Sequence, residues 1–366
     1  MANEQAYRVG IVGATGMVGQ RLILLLDKHP WFRLTTLAAS SRSAGRTYEE
    51  ATGQRWHMTA PMPESVKKLI ILDGEKDIQA IADQTDFIFC AVDMDKQTIR
   101  DLEEAYARAE CPVMSNNSAH RWTPDVPMII PELNPEHADI IPVQRKRLGT
   151  AHGFIAVKSN CSIQSYLPAF WPLHEKYTLT KALACTYQAI SGAGKVFSDW
   201  PEMVDNVIPL ISGEEEKSEQ EPLRVWGKVS AEGIIAATKP SITTQCIRVP
   251  VTDGHLAAVF ASFEIKPGID EIKAIWKGFK GLPQELNLPS APKQFLHYFE
   301  EEDRPQTKAD RDLEGGMAVS IGRLRPDSQY DIKFVCLSHN TIRGAAGGNV
   351  LMAELLCKQG YIRQKS

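Results

Sequence analysis

The chain has 366 residues, 43% of them hydrophobic and 23% charged, a composition that suits two soluble globular domains and argues against a disordered, collagenous or membrane protein. No apolar run approaches the roughly 20 residues that a bilayer span needs. The formal net charge is −4, from 41 basic and 45 acidic residues, so the basic excess of a nucleic-acid binder is absent. Met1 to Tyr7 is polar and lacks the basic-then-apolar pattern of a signal peptide. The seven cysteines are scattered without a CxxC pair, which points to reduced thiols in the cytoplasm rather than a disulfide scaffold or a metal site.

In chain order, the first segment reads strand, glycine loop, helix: Tyr7 to Val12, Gly13 to Gly19, then apolar residues at helical spacing at Val18, Leu22, Leu25 and Leu26. Strands follow at Phe32 to Ala39, Leu69 to Leu72 and Phe87 to Val92, then a helix over Lys96 to Ala109 and a strand at Pro112 to Ser115. Alternation of this kind predicts a mostly parallel sheet covered on both faces. Beyond about residue 155 the strands lengthen and alternate, at Leu179 to Ile190, Ile242 to Pro250, Leu256 to Ile265, Met317 to Leu324 and Tyr330 to His339. That pattern predicts an α+β unit with an antiparallel sheet. Helices are expected at Ile163 to His174, kinked or split by Pro168 and Pro172, at Gly213 to Val229 and at Asp270 to Phe279. A last helix over Gly344 to Lys358, capped at Gly360, has an apolar face suited to packing on the first domain.

Gly13, Gly16 and Gly19 form G-x-x-G-x-x-G between a strand and a helix. Glycines permit a tight turn and close backbone approach, and the helix N-terminus offers free N–H groups to a pyrophosphate. An NAD enzyme places a carboxylate about 20 positions downstream, at the ribose hydroxyls. Here the segment reads Ser40-Ser41-Arg42-Ser43-Ala44-Gly45, whose hydroxyls and guanidinium suit the 2′-phosphate of NADP.

Cys161, in Lys158-Ser159-Asn160-Cys161-Ser162, follows the strand Phe154 to Val157 and precedes a helix. A helix N-terminus stabilises a thiolate, so a lowered thiol pKa and a nucleophilic role are expected. The other six cysteines read as structural. Asp253-Gly254 gives a hairpin signal between Arg248 and His255. In a strict two-residue turn those side chains would lie about 13 Å apart, so a wider loop that brings them nearly opposite fits one small substrate better. Glu214 and Lys217 share a helix face, and Glu221 is an equally good partner for Lys217. Arg121 is either an anion ligand or a surface residue.

Together these segments resemble the aspartate-β-semialdehyde dehydrogenase family, particularly its archaeal and fungal branch. The resemblance runs in order through Gly13-Ala14-Thr15-Gly16-Met17-Val18-Gly19, Ser40 to Gly45, Pro124-Asp125-Val126-Pro127, Ser159-Asn160-Cys161-Ser162 and Gln188 to Gly194. It continues through Gly213-Glu214-Glu215-Glu216-Lys217, Arg248-Val249-Pro250-Val251 with Gly254-His255, Asp303-Arg304-Pro305-Gln306 and Asn340 to Gly348. It implies an α/β chain: a Rossmann-type NADP-binding domain over 1–157 and 343–366, and an α+β catalytic and dimerisation domain over 158–342 with a mixed or antiparallel sheet.

The implied activity is NADPH-dependent reductive dephosphorylation of aspartyl phosphate to aspartate semialdehyde, in the pathway to lysine, threonine and methionine. Cys161 is then the nucleophile that becomes an acyl-thioester, His255 the acid/base, and Gln188 an orienting residue. Arg248 and Glu214 hold the substrate carboxylate and amino group, Asn160 lies in the substrate site, and Arg121 and Lys217 bind phosphate. Gly13, Thr15, Gly16, Met17, Val18, Ser40, Arg42, Ser43, Ser191, Gly192 and Asn340 contact NADP. The resemblance implies a homodimer or homotetramer with no metal, nucleic-acid or membrane partner. The alternatives are a related acyl reductase of the malonyl-coenzyme A or N-acetylglutamyl phosphate type, and a catalytically silent NADP-binding scaffold. The sequence departs from the family pattern at Ile163, at Ser115 to His120 and at Lys195 to Trp200, which bears on the phosphate pocket and the substrate.

Overall fold

The computed structural model describes residues 6–365; the reading of residues 1–5 as free of a leader pattern lies outside them. The first sheet is wholly parallel and has the order β3-β2-β1-β4-β5-β6. Its strands are β1 (Tyr7–Val12), β2 (Phe32–Ala39), β3 (Ile71–Asp73), β4 (Phe87–Cys90), β5 (Val113–Ser115) and β6 (Ile155–Val157). The apolar runs of β4, β5 and β6 are buried at every residue, as a sheet with both faces covered requires. The order reverses between β1 and β4, which opens a crevice beyond their carboxyl ends, the ligand position of this architecture.

The second sheet is mixed, not purely antiparallel, with the order β10-β7-β11-β14-β13-β12. It comprises β7 (Leu179–Gln188), β10 (Ser241–Arg248), β11 (His255–Phe263), β12 (Leu296–Phe299), β13 (Val319–Pro326) and β14 (Ile332–Ser338). β8 (Lys228–Val229) and β9 (Ile234–Ile235) form a separate short ribbon. The Asp253-Gly254 hairpin does not exist. β7 lies between β10 and β11, parallel to the former and antiparallel to the latter. Gly254, at φ +103°, serves a loop that crosses the end of β7 instead. In that register Arg248 is beside Gln188, and Leu256 is beside Tyr187. The ends of three adjacent strands thus collect Arg248, Gln188 and His255.

Six helices matter to the site: α1 (Met17–Leu26), α2 (Lys96–Arg108), α3 (Ile163–Tyr177), α4 (Glu214–Val225), α5 (Ile269–Gly278) and α6 (Gly347–Lys358). α3 runs unbroken through Pro168 and Pro172, contrary to the expected split. Each internal proline costs about 3 kcal/mol. Ile163, Leu167, Phe170, Leu173 and other α3 side chains are buried in the core that joins the two sheets, each contributing about 1.5–3 kcal/mol. Packing therefore outweighs the lost backbone bonds. α4 stops at Val225 rather than Val229, because the chain turns at Gly227 to enter β8. α6 is closed by Gly360 at φ +80°, as its sequence predicts, and packs on α1 and β5. No helix among the described residues is long and apolar enough to cross a membrane.

Between β14 and α6 a wide π-type turn, Ile342–Ala346, packs against α1 and carries the fully buried Arg343. Its guanidinium grips Glu132 with both nitrogens, Nη1 reaching Oε1 at 2.7 Å, and Nε donates to Gln164 Oε1 at 3.1 Å. Gln164 passes the connection to Ser159 Oγ at 2.7 Å. Glu132→Ala would strand a guanidinium in the interior, and we expect it to lower the unfolding free energy by about 3–5 kcal/mol. Denaturant unfolding checks this; a loss below about 1 kcal/mol would show that the pair holds little.

Candidate active site

The glycine loop is held from below. Tyr48 Oη donates to the Ala14 carbonyl at 2.9 Å, and Gln20 Nε2 donates to the Thr15 carbonyl at 3.0 Å. Gly13 has φ +92°, and a Cβ there would lie 2.3 Å from the Ala91 carbonyl, so only glycine lets the loop meet the end of β4. A Cβ on Gly19 would lie 2.4 Å from Gly13 O, whereas Gly16 has nothing nearer than 3.5 Å and stays open. The crevice is a cavity of about 300 Å³ lined by Gly13, Thr15, Gly16, Ser40 and Arg42, with Glu75, Asp93 and Met94 on its other wall. Met17 and Val18 form the first turn of α1 and are not among the residues that line the cavity. Ser43 is buried in the turn behind Ser40, its N–H donating to Ser40 O at 2.8 Å, and does not line the cavity. Sequence reasoning missed Glu75 and Asp93, which follow β3 and β4 rather than β2.

The nucleophile segment leaves the end of β6, at the seam of the two sheets. Cys161 Sγ is 3.5 Å from His255 Nε2, the only cysteine–histidine hydrogen bond among the described residues. His255 Nδ1 accepts the Ala189 N–H at 3.1 Å. A backbone amide has only a donor to offer, so the proton of the neutral ring sits on Nε2 and faces the sulfur. The same residue holds Arg248, whose Nη1 donates to Ala189 O at 2.6 Å. Gly192 keeps that corner open: a Cβ would lie 2.9 Å from Arg248 Nη1 and 3.1 Å from His255 Nε2. Asn340 donates to Ser191 Oγ at 2.9 Å and accepts from Gly254 N at 2.7 Å, which fixes the loop entering His255. Ser191, Gly192 and Asn340 thus stand with the thiol and are not among the residues lining the nucleotide crevice. Gln188 is buried, with Nε2 3.2 Å from Thr186 Oγ1.

α4 supplies the charges. Glu214 Oε1 accepts from Asn160 Nδ2 at 2.9 Å, and its Oε2 is 3.3 Å from Lys217 Nζ. Glu221 does not pair with Lys217. It turns inward to Arg121 Nη1 at 2.8 Å and to the Asn160 N–H at 2.6 Å. Arg121 is buried, not at the surface; Nε and Nη2 also hold the Lys158 and Asn116 carbonyls. Nearby, both amide atoms of Asn116 are buried without a partner. Lys158, which sequence reasoning passed over, is buried with its ammonium on Ser159 O, and burial pulls it down to about 7.

The expected lowering of the Cys161 thiol is reversed. Desolvation pushes it up to about 11, and Glu214 adds to the rise, while Lys158, Arg121 and Arg248 oppose it. Burial, with Arg248 next, pulls His255 down to about 3, so the ring is neutral at physiological pH. The helix N-terminus that guided the sequence reading is present, but the wall of protein around the sulfur outweighs it.

A semialdehyde dehydrogenase NAD-binding domain model matches residues 8–141, and a semialdehyde dehydrogenase dimerisation domain model matches residues 170–343. The chain is 45% identical over 352 residues to aspartate-semialdehyde dehydrogenase of Methanothermobacter thermautotrophicus, covering 95% of this chain and 98% of that one. It is 40% identical over 370 residues to the enzyme of Aspergillus fumigatus, covering 99% and 100%. The crystal structure of the Candida albicans enzyme with NADP superposes with a TM-score of 0.87 at 37% identity, over 98% of this chain and 100% of that one. The chain belongs to the semialdehyde dehydrogenase family, in its aspartate-semialdehyde dehydrogenase group.

Because burial dominates, the ligand-free thiol should be alkylated by iodoacetamide at a rate still rising at pH 10. Stopped-time labelling followed by mass spectrometry of the Cys161 peptide checks this. A rate that levels off below pH 8 would mean a thiolate already formed at rest.

Proposed function

We propose that this chain is an NADP-dependent, phosphorylating aspartate-semialdehyde dehydrogenase, working through a Cys161 thioester. The observation that carries the reading is the contact of Cys161 with His255, with the charges of Glu214, Arg121 and Arg248 acting on the sulfur and Lys217 paired to Glu214. The Arg248 side chain makes one hydrogen bond among the described residues, which leaves the rest of its fork for the substrate α-carboxylate. Glu214 would receive the α-ammonium. It is also the largest charge opposing the thiolate, so an ammonium seated on it removes that opposition as substrate arrives. Lys217 and Arg121 serve the phosphate. Glu214, held by Asn160 and Lys217, offers a carboxylate to an α-ammonium, which a malonyl thioester lacks; this favours the aspartyl skeleton.

The nucleotide crevice fits a dinucleotide phosphate by its open Gly16, the free N–H groups at the start of α1 and the cation Arg42. Arg42 with Ser40 would hold the 2′-phosphate. Bound NADPH supplies the hydride. In the reductive direction the Cys161 thiol first gives its proton to water, the thiolate attacks the acyl carbon, and the carbon–oxygen bond to phosphate breaks as phosphate leaves. Reduction of the thioester gives a hemithioacetal oxyanion on Cys161, which collapses to the aldehyde and returns the sulfur as thiolate. His255 Nε2–H stabilises the sulfur when it is charged and donates to the substrate oxygen while it is not. Gln188, at the end of β7 beside Arg248, would fix the orientation of the acyl group.

We assign residues 1–157 and 343–366 to the nucleotide domain and 158–342 to the catalytic domain. We infer a homodimer, or a tetramer built from two such dimers, assembled through the second sheet. The exposed Tyr187 on β7 and the exposed Val204, Val207 and Leu210 of the loop beyond it offer apolar surface for that contact. The seven free thiols suit a reducing cytoplasm.

Two assays test the reading. Cys161→Ala should lower kcat/KM for aspartate semialdehyde by about a thousandfold or more, and near wild-type activity would overturn the mechanism. Arg42→Ala should raise KM for NADP by about tenfold and leave the weaker NAD reaction unchanged. An equal effect on both cofactors would place the 2′-phosphate elsewhere.

A further inference from the structure

The face of α4 that turns toward the thiol carries more than Glu214 and Lys217. Ser218 and Glu221 lie four and seven residues beyond Glu214, on the same helical stripe. All three reach the nucleophile segment. Glu214 accepts from the Asn160 side chain, Ser218 Oγ is 2.8 Å from Ser162 Oγ, and Glu221 Oε2 accepts the Asn160 N–H at 2.6 Å. Both residues that flank Cys161 are therefore tied to one helix.

That helix is itself fixed on two other sides. Pro222 has no N–H to give the Ser218 carbonyl, and Tyr166 Oη of α3 donates to it instead at 2.8 Å. Glu215 and Glu219, on a stripe roughly a third of a turn round the helix, accept the backbone N–H groups of Cys246 and Thr244 at 3.1 and 2.9 Å. These are donors of the edge strand β10, which would otherwise be open. α4 is thus pinned between an edge strand and the loop that carries the sulfur.

We propose that Glu221, assisted by Ser218, is the positioning residue of the nucleophile, and that its carboxylate also tunes the charge that Arg121 presents to the sulfur. The proposal rests on the reading of Cys161 as nucleophile. Glu221 is buried, with one oxygen on Arg121 and the other on the Asn160 backbone. One carboxylate therefore sets both the position of the backbone one residue before the thiol and the share of Arg121 that remains for an anion. Arg121 favours the thiolate electrostatically, so neutralising Glu221 leaves more of that influence unopposed. The expected phenotype separates position from ionisation: a thiol that ionises more easily but reacts worse with substrate.

The test uses full-length Glu221→Gln, which keeps the shape of the side chain, with Ser218→Ala as a milder second variant. For Glu221→Gln the proposal expects kcat to fall by about tenfold to a hundredfold with KM for aspartate semialdehyde within about twofold of wild type. The iodoacetamide profile of Cys161 should move to lower pH. Ser218→Ala should lower kcat a few-fold without moving that profile. Should Glu221→Gln fail to fold, the kcat of Ser218→Ala decides. Wild-type kcat and an unmoved thiol profile in folded Glu221→Gln, or undiminished kcat in Ser218→Ala, would overturn the proposal. Wild-type enzyme assayed in parallel separates this from the functional reading. If wild type does not turn over aspartate semialdehyde, that reading fails; if wild type is active and the variants match it, only the positioning role fails.

Discussion

The 3.5 Å approach of Cys161 to His255 is the constraint around which the chain is organised. The sulfur leaves the last strand of the first sheet, and the imidazole opens a central strand of the second. Neither sheet alone contains both. Their seam must therefore be rigid. α3 provides most of that rigidity, starting two residues after the sulfur and filling the core between the sheets. The Glu132–Arg343–Gln164–Ser159 chain provides more from the opposite side. The π-type turn that holds Arg343 also packs Gly344 against the thiol, where a Cβ would lie 2.8 Å from that of Cys161. It touches α1 as well, and so links the nucleotide loop to the sulfur through one short piece of backbone.

Burying these groups sets their chemistry. Desolvation holds His255 neutral, and the Ala189 amide selects the tautomer with its proton toward the sulfur. The same burial raises the thiol, so the site at rest is not primed by its helix N-terminus alone. Cations gathered at the seam offset part of the cost, and Glu214, although paired with Lys217, still works against them. A site of this kind couples ionisation of the nucleophile to occupancy, which protects a thiol that is only partly covered.

Local signals carried the first half of the chain. Continuous apolar strands, a glycine loop and a missing ribose carboxylate are all contained within short windows, and the parallel sheet and its crevice follow from them. The second half depends on distant pairing. Nothing near Asp253-Gly254 reveals that β7, some sixty residues earlier in the chain, separates the strands on either side of it. A local turn signal therefore suggested a hairpin that the sheet order forbids. Ser218 and Glu221 were legible as residues on the Glu214 stripe, but not as partners of the loop at 160–162. Lys158 carried no pattern beyond its nearness to Cys161. Pro168 and Pro172 do not split their helix, because propensity is local and the packing that overrides it is not.

The most direct measurement mixes the enzyme with NADP and aspartate semialdehyde in the absence of phosphate and follows the first turnover. Formation of the thioester releases NADPH once and then stalls. A burst of NADPH absorbance equal to the enzyme concentration is expected, with an acyl adduct on the Cys161 peptide that hydroxylamine removes. No burst, or an adduct on any other residue, would contradict it.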